Sequence, residues 1–290
     1  MKIVVIGATG FIGGHFTNLL LQLGHQVLSI SRSPRDLSKV CIDQRVEWLE
    51  KNLCSITSDD LRNCDALAYF AAAGVPPKIE NAFDIYNFNV FVLDKIIRLA
   101  SKAGNNRISI AGSVAEYGSS GQRYELIPVW APLMPVSQYA ASKALGFSRS
   151  ISCSKELGLQ LFYGRVASAY GRGQFENNLW PSIVKSAAMG LDFKLMHADR
   201  IRDFVAVEAV AFMFLDGILR QDIKSGTVKI ENFGSGNPTK VVNWISKKWQ
   251  SLNPSGNLVI ETGPSSSNAD CNLAPLVSQR IKLIASHVPV

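Results

Sequence analysis

The sequence predicts an α/β protein built on a doubly wound parallel sheet. Two observations carry the prediction. Short apolar runs of strand character alternate with helical patterns through about residue 168, and that alternation places helices on both faces of a parallel sheet. The first apolar run also leads straight into a glycine-rich turn, Gly7 to Gly14, and then into a helical pattern. A chain of 290 residues can bury a large core in one or two domains.

The elements follow in order. Residues 3–6 (Ile, Val, Val, Ile) form a first strand, and residues 15–23 a helix that Gly24 and His25 end. The turn between them has the spacing G-x-x-G-x-x-G. Gly7 permits a tight turn, Gly10 lets the backbone approach a pyrophosphate, and Gly13 lets the helix pack on the strand. The helix N-terminus then presents free N–H groups and a positive dipole end to an anion. This is the context of a Rossmann-type dinucleotide site.

Residues 26–30 read as the second strand. An acidic residue at its tip would accept hydrogen bonds from ribose hydroxyls and favour NAD. The tip instead reads Ser31, Arg32, Ser33, Pro34, Arg35. Hydroxyls and arginine forks suit a 2′-phosphate, so NADP(H) is the preferred cofactor, with NAD(H) as the alternative. Residues 66–70 form a further strand, residues 91–102 a helix closed by Ala103, Gly104 and Asn105, and residues 107–111 another strand. Residues 139–156 form a helix with Gly158 beyond it, and residues 159–163 a sixth strand.

Tyr139 and Lys143 stand four residues apart, on one face of their helix. Ser113 closes an apolar strand upstream. A nearby ammonium favours phenolate and lowers a tyrosine pKa, so the phenol can exchange a proton nearer neutrality.

These pieces together resemble the extended short-chain dehydrogenase/reductase family, the NAD(P)-dependent sugar epimerase and dehydratase group. The resemblance runs from Met1 to about Gly236. Asp65 to Ala72 looks like the family's fourth strand, whose end lies beside the cofactor. Asn89 and Val90 resemble its Asn-Val element, and Gly164 to Gly171 its Arg-Pro-x-x-x-Tyr-Gly segment. Asn177 to Leu179 and Arg202 to Val205 resemble segments that contact a nucleotide-diphosphate substrate, and Asn232 to Gly236 the late strand and turn. The resemblance implies catalytic roles for Ser113, Tyr139 and Lys143. It implies cofactor contacts at Gly7, Thr9, Gly10, Phe11, Ile12, Gly13, Ser31, Arg32, Arg35, Leu53, Phe70, Ala71, Ala72, Tyr139 and Lys143. Substrate contacts fall on Ser113, Asn178 and Arg202.

The chain departs from the family pattern in several places. Tyr69 replaces a common histidine, and Val92 and Leu93 follow Asn-Val where Gly-Thr is usual. Ser168 replaces an asparagine near the substrate. No arginine lies between Arg220 and Arg280, where a phosphate-gripping one is usual. Val114 and Ala115 follow Ser113 where 4,6-dehydratases carry an Asp-Glu pair, and Glu116 is one place too late to substitute. The implied activity is therefore NADP(H)-dependent reduction of a nucleotide-linked 4-keto-6-deoxy sugar. The alternatives are a sugar-nucleotide 4-epimerase with tightly bound NAD, or a non-catalytic NADP-binding sensor or assembly protein.

Hydrophobic residues make up 47% of the chain and charged residues 18%, as in globular enzymes. No signal peptide or membrane-length apolar run is present, and Glu208 interrupts the nearest candidate, residues 205–215. The net charge of +7 suits anionic ligands, but no arginine-rich run or aromatic-basic motif suggests nucleic acid. Lys247 and Lys248 read as a solvated helix face. The cysteines Cys41, Cys54, Cys64, Cys153 and Cys271 are scattered, which fits a reducing cytoplasm. His15, His25, His197 and His287 have no ligand spacing, so no metal is expected.

Beyond Tyr170 the pattern loosens. A loop at Gly171 to Gly173 precedes a helix from Trp180 and Pro181 to Gly190. Short strands at 204–207 and 228–232 flank a helix at 208–219. Residues 251–268 read as loop around one strand at 258–261. Residues 1–168 are expected to form the dinucleotide-binding domain, with returning segments near 201–235. Residues 169–290 mainly form a smaller substrate-binding lobe. The resemblance also implies a homodimer through helices 91–102 and 139–156.

Overall fold

The computed structural model describes residues 1–31, 40–75, 81–261 and 272–288. The chain runs through β1 (Lys2–Ile6), α1 (Phe11–Gln22), β2 (Gln26–Ser31), β3 (Glu47–Glu50) and β4 (Ala66–Tyr69). Next come α2 (Ala82–Tyr86), a π-helical turn over Asn87–Val92, α3 (Leu93–Lys102), β5 (Arg107–Ser113), α4 (Gln138–Leu157) and β6 (Gln160–Val166). The later part holds β7 (Ser168–Tyr170), α5 (Leu179–Ala188), β8 (Phe193–Leu195), β9 (Ile201–Arg202), β10 (Phe204–Ala206) and α6 (Val207–Leu219). It ends with β11 (Thr227–Phe233), β12 (Thr239–Lys240), α7 (Val241–Ser251), β13 (Leu258–Ile260), β14 (Asn272–Leu273) and α8 (Gln279–His287).

Seven strands form one parallel sheet in the order β11-β6-β5-β4-β1-β2-β3. From β1 the chain winds to one edge, and from β4 it winds to the other. The carboxyl ends of β1 and β4 therefore flank the topological switch point, where ligands of such sheets bind. The central strands are buried on both faces, which explains their unbroken apolar runs. Side chains alternate across a strand. Ile3 and Val5 pack with Phe16, Leu20 and Phe214 of α1 and α6. Val4 and Ile6 pack with Ile96, Ile97 and Phe147 of α3 and α4. A separate core of Ile183, Leu195, Val241, Ile245 and Trp249 ties α5, β8 and α7 together beyond the sheet.

Several boundaries differ from the sequence expectation. β3 is an unforeseen edge strand, because Glu47-Trp48-Leu49-Glu50 has charged ends and is only half buried. α1 begins at Phe11, inside the glycine turn, rather than at residue 15. α3 begins at Leu93 because the π-helical turn precedes it. β5 and β6 extend to Ser113 and Val166. α4 starts where the Ser137 hydroxyl accepts from the Ala140 N–H, and it closes at Gly158, whose φ of +67° favours glycine.

The four described cysteines are free thiols. Cys271 lies outside the described residues. Among the described residues no helix is long and apolar enough to cross a membrane. No group of three or more His, Cys, Asp or Glu among them is placed to hold a metal.

Candidate functional site

The site is assembled first by the glycine turn. Gly7 adopts φ +92°, and a Cβ there would lie 2.7 Å from the Ala71 nitrogen. Gly7 thus lets the ends of β1 and β4 touch, with the Phe70 N–H donating to the Ile6 carbonyl at 2.8 Å. A Cβ on Gly13 would fall 2.2 Å from the Gly7 carbonyl oxygen, so only glycine lets α1 start this close to the strand. Gly10 caps α1 without a side-chain hydrogen bond, and the first turn holds no acidic residue. Its N–H groups and dipole are left for an anion. These residues fit the diphosphate of a dinucleotide.

Register places the neighbouring contacts. Ser31 follows Ile30, which pairs with Ile6, so the tip of β2 lies beside the same crevice. Arg32 and Arg35 lie outside the described residues. Leu53 sits half-buried in a short turn beyond β3 and packs on the α3–α4 side of the sheet. The Phe70 ring turns away, against Phe16 and Phe214 at 5.0 and 4.9 Å, so Phe70 offers only its backbone to the crevice. Ala71 and Ala72 continue past it, half-buried.

Tyr139 lies in the first turn of α4 and Lys143 one turn later. The Lys143 ammonium is buried and donates to the Ala111 carbonyl at 2.7 Å. Burial pushes the Tyr139 phenol up to about 12. The Glu116 charge adds to that rise, and a hydrogen bond from Ser113 opposes it. Burial lowers the Lys143 pKa, with Glu116 opposing. The expected lowering of the Tyr139 pKa by Lys143 is therefore not met in the protein by itself, because desolvation of the charged phenolate dominates.

Asn89, in the π-helical turn, fixes this helix. Its amide accepts from the Ala73 N–H at 2.8 Å, donates to the Ala73 carbonyl at 2.9 Å and reaches the Ser142 hydroxyl at 2.9 Å. π-Helical turns often mark functional sites.

Glu116 is fully buried behind the end of β5. One carboxylate oxygen accepts from the Ser113 N–H at 2.8 Å and the Tyr163 hydroxyl at 2.7 Å, and the other accepts from Arg165 Nε at 2.8 Å. Arg165 also donates to the Tyr117 hydroxyl at 2.9 Å, and Tyr117 donates to Asn232 at 2.7 Å. The Arg165 guanidinium lies 4.3 Å from the Phe147 ring centroid. The Ser113-x-x-Glu116 spacing is that of a capping box, but nothing local marks the pairing of Glu116 with Tyr163 and Arg165, which lie 47 and 49 residues further along the chain.

A cavity of about 550 Å³ opens beyond the crevice. Phe11, Ile12, Ser113, Tyr139, Asn178 and Arg202 all line it, so residues predicted from five separate segments converge. Ser168 lines it too. Asn178 caps α5, and Arg202 ends β9 with a hydrogen bond to the Ile201 carbonyl at 2.8 Å. Lys143, Gly7, Thr9, Gly10 and Gly13 are not on its wall.

Phe204, within the 202–205 segment singled out in the sequence, lies on the far wall, whereas its other members Trp180, His197, Arg200 and Trp244 were missed. Trp244 stacks on Phe204 at 4.0 Å and meets Tyr170 and Trp180 edge-on. The Lys248 ammonium sits 5.0 to 5.8 Å from the ring centroids of Tyr170, Trp180 and Trp244. Lys247 is exposed as expected, but Lys248 is not part of a solvated face. The aromatic rings draw its ammonium inward, and burial lowers its pKa. The spacing of these aromatics gives no helical or strand pattern that points to one pocket.

Comparison with known proteins agrees with this geometry. The NAD dependent epimerase/dehydratase family matches residues 3–228. A UDP-glucose 4-epimerase from Lactobacillus helveticus is 26% identical over 232 residues, covering 72% of this chain and 69% of its own. A dTDP-glucose 4,6-dehydratase from Actinoplanes sp. is 26% identical over 226 residues, covering 71% and 69%. The fold matches a UDP-glucose 4-epimerase from Thermotoga maritima, crystallised with UDP-glucose, at a TM-score of 0.81 and 18% identity. That match covers 98% of this chain and 92% of the other. It also matches DesIV, a dTDP-glucose 4,6-dehydratase from Streptomyces venezuelae with NAD and TYD bound, at 0.79 and 22%, covering 100% and 92%. With the glycine turn at the switch point and the family match over most of its length, the chain belongs to the NAD-dependent epimerase/dehydratase family, the extended short-chain dehydrogenase/reductases.

Proposed function

We propose that the protein is an NADP(H)-dependent oxidoreductase that reduces a nucleotide-linked 4-keto-6-deoxy sugar at C4. One observation carries the reading. Ser113 and Tyr139 open into the cavity, and no aspartate or glutamate is among the described residues that line it. Eliminating water from a hexose needs groups that remove and return protons at carbon and oxygen. Val114 is buried in an apolar cluster, Ala115 has no ionisable group, and the Glu116 carboxylate is held by Ser113, Tyr163 and Arg165. Hydride exchange at a carbinol carbon remains, with the phenol as proton carrier.

A bound dinucleotide supplies the hydride. Tyr139, protonated across the neutral range because its pKa is about 12, gives its proton to the substrate oxygen as charge develops there. The Ser113 Oγ accepts from the Ala115 N–H at 3.2 Å, which leaves its own O–H to orient the same oxygen. Lys143, which gives one N–H to the Ala111 carbonyl, would hold a ribose hydroxyl of the dinucleotide, the role its place in the family implies. Asn178 and Arg202 hold the diphosphate of the substrate. Ser31, Arg32 and Arg35 favour the 2′-phosphate of NADP(H).

The similarity to UDP-glucose 4-epimerases favours a second reading, a 4-epimerase that keeps NAD bound. The test is to supply a nucleotide-linked 4-keto-6-deoxy hexose with NADPH. The expected result is one NADPH oxidised per 6-deoxy hexose formed. Conversion of a nucleotide sugar without net NADPH consumption establishes the epimerase instead. No turnover on a panel of keto sugars, with tight NADPH binding retained, points to a sensor or assembly role.

A further inference from the structure

Behind the reacting side chains lies a buried carboxylate that the mechanism does not use. Glu116 is 0% exposed. It cannot reach the cavity, because both its oxygens are engaged on the far side of Ser113. Behind it, a Cβ on Gly112 would lie 2.7 Å from the carboxylate and 2.1 Å from the Tyr163 ring, so the site is built to admit these two side chains.

We propose that Glu116 is a positioning residue for the Ser113–Tyr139–Lys143 site: anchored by Arg165 and Tyr163, its carboxylate fixes the Ser113 main chain and sets a negative charge behind Tyr139 and Lys143. This rests on the reading that Tyr139 carries the proton. The position follows from the reciprocal cap at the end of β5. Glu116 accepts from the Ser113 N–H while Ser113 Oγ accepts from the Ala115 N–H, so the serine hydroxyl is aimed from both sides. The electrostatic part follows from burial. Arg165 and Tyr163 bond Glu116 from β6, and Tyr117 follows it in its own turn and also meets Arg165. From α4 the Lys143 ammonium reaches the same end of β5 at the Ala111 carbonyl, one turn beyond Tyr139. Two cationic groups, Arg165 and Lys143, are enclosed here, and Glu116 is the acid that acts on both of them. Its charge makes proton loss harder at Tyr139 and at Lys143 alike.

The sign of the test follows. Removing the carboxylate charge makes both protons easier to lose, so the Tyr139 ionisation moves to lower pH. Glu116→Gln removes the charge but leaves the buried Arg165 unpaired, which can unfold the protein. The double variant Glu116→Gln/Arg165→Met removes the ion pair, keeps an amide oxygen for the Ser113 N–H and preserves volume. The readout is the ultraviolet phenolate titration of each protein, with and without Tyr139→Phe in the same background, so the difference reports Tyr139 alone. We expect its midpoint to fall in the double variant, by less than the roughly one pH unit that a lone charged neighbour imposes, because the Arg165 charge leaves together with the carboxylate. An unmoved midpoint in a folded double variant overturns the proposal. Failure of the double variant to fold also overturns it, since the pair would then serve the fold rather than the site. The titration needs no substrate, so a wrong sugar assignment leaves this result standing. Near-normal turnover in Tyr139→Phe would instead remove the reading on which the proposal rests.

Discussion

Tyr139 is the side chain on which the proposed chemistry turns. Tyr139→Phe removes one hydroxyl from the cavity wall, so folding and dinucleotide binding should survive. Turnover should fall by about 10²–10⁴ if the phenol is the general acid. Ser113→Ala should cost less, because it removes an orienting hydrogen bond and leaves the proton donor. Steady-state rates with a dinucleotide fluorescence titration check both. The pH dependence has a definite sign. An acid whose pKa is about 12 keeps its proton from neutral pH well into the alkaline range. The rate in the reducing direction should therefore show no alkaline loss below about pH 9, and a bell falling near neutrality would reject Tyr139 as the donor. Arg32→Ala should shrink the NADPH-over-NADH preference by about one to two decades, the worth of a charge-assisted fork. Equal binding of the two by the unaltered protein would dismiss the 2′-phosphate reading.

The glycine turn and the π-helical turn are the elements that bring the crevice together. Gly13 lies where α1 meets β1, and a methyl group there must push the helix off the Gly7 carbonyl. Gly13→Ala should destabilise the fold by about 1–3 kcal/mol and weaken dinucleotide binding, read by urea unfolding and by titration. Asn89 does for α4 what Gly13 does for α1. Its three hydrogen bonds join the end of β4 to the helix that carries Tyr139 and Lys143. The turn was legible as an Asn-Val resemblance, but its π-helical shape was not. One extra residue in a helical turn leaves the apolar spacing of the neighbouring α3 intact, so the sequence pattern passes over it.

Across the whole molecule, the cavity lies between the sheet and the aromatic lobe of α5, β8 and α7. Trp244 joins the two, with its ring stacked on Phe204 and touching Tyr170 and Trp180. Trp244→Ala should raise KM more than it lowers kcat, because its ring builds the aromatic wall of the cavity and carries no acid or base, so it binds substrate and transition state alike. It should also cost somewhat less stability than the ~3–5 kcal/mol of a fully buried tryptophan. A variant with unchanged KM and a reduced kcat would place Trp244 nearer the chemistry than this arrangement allows.

The parallel sheet, the turn at its switch point and the positions of Ser113 at a strand end and of Tyr139 and Lys143 on one helix are legible in the chain alone. These are local statements: apolar runs buried on both faces, glycines at fixed offsets, and a helical spacing of four. Only the tertiary structure decided what surrounds them. Glu116 and Arg165 are 49 residues apart, and Lys248 reaches aromatic rings from β7, α5 and α7. Such contacts are made by strand order and lobe packing, which leave no periodic mark on the chain. For the same reason the Tyr139 pKa could not be read from its distance to Lys143 along a helix. Burial dominates it, and burial is set by everything that packs around the phenol.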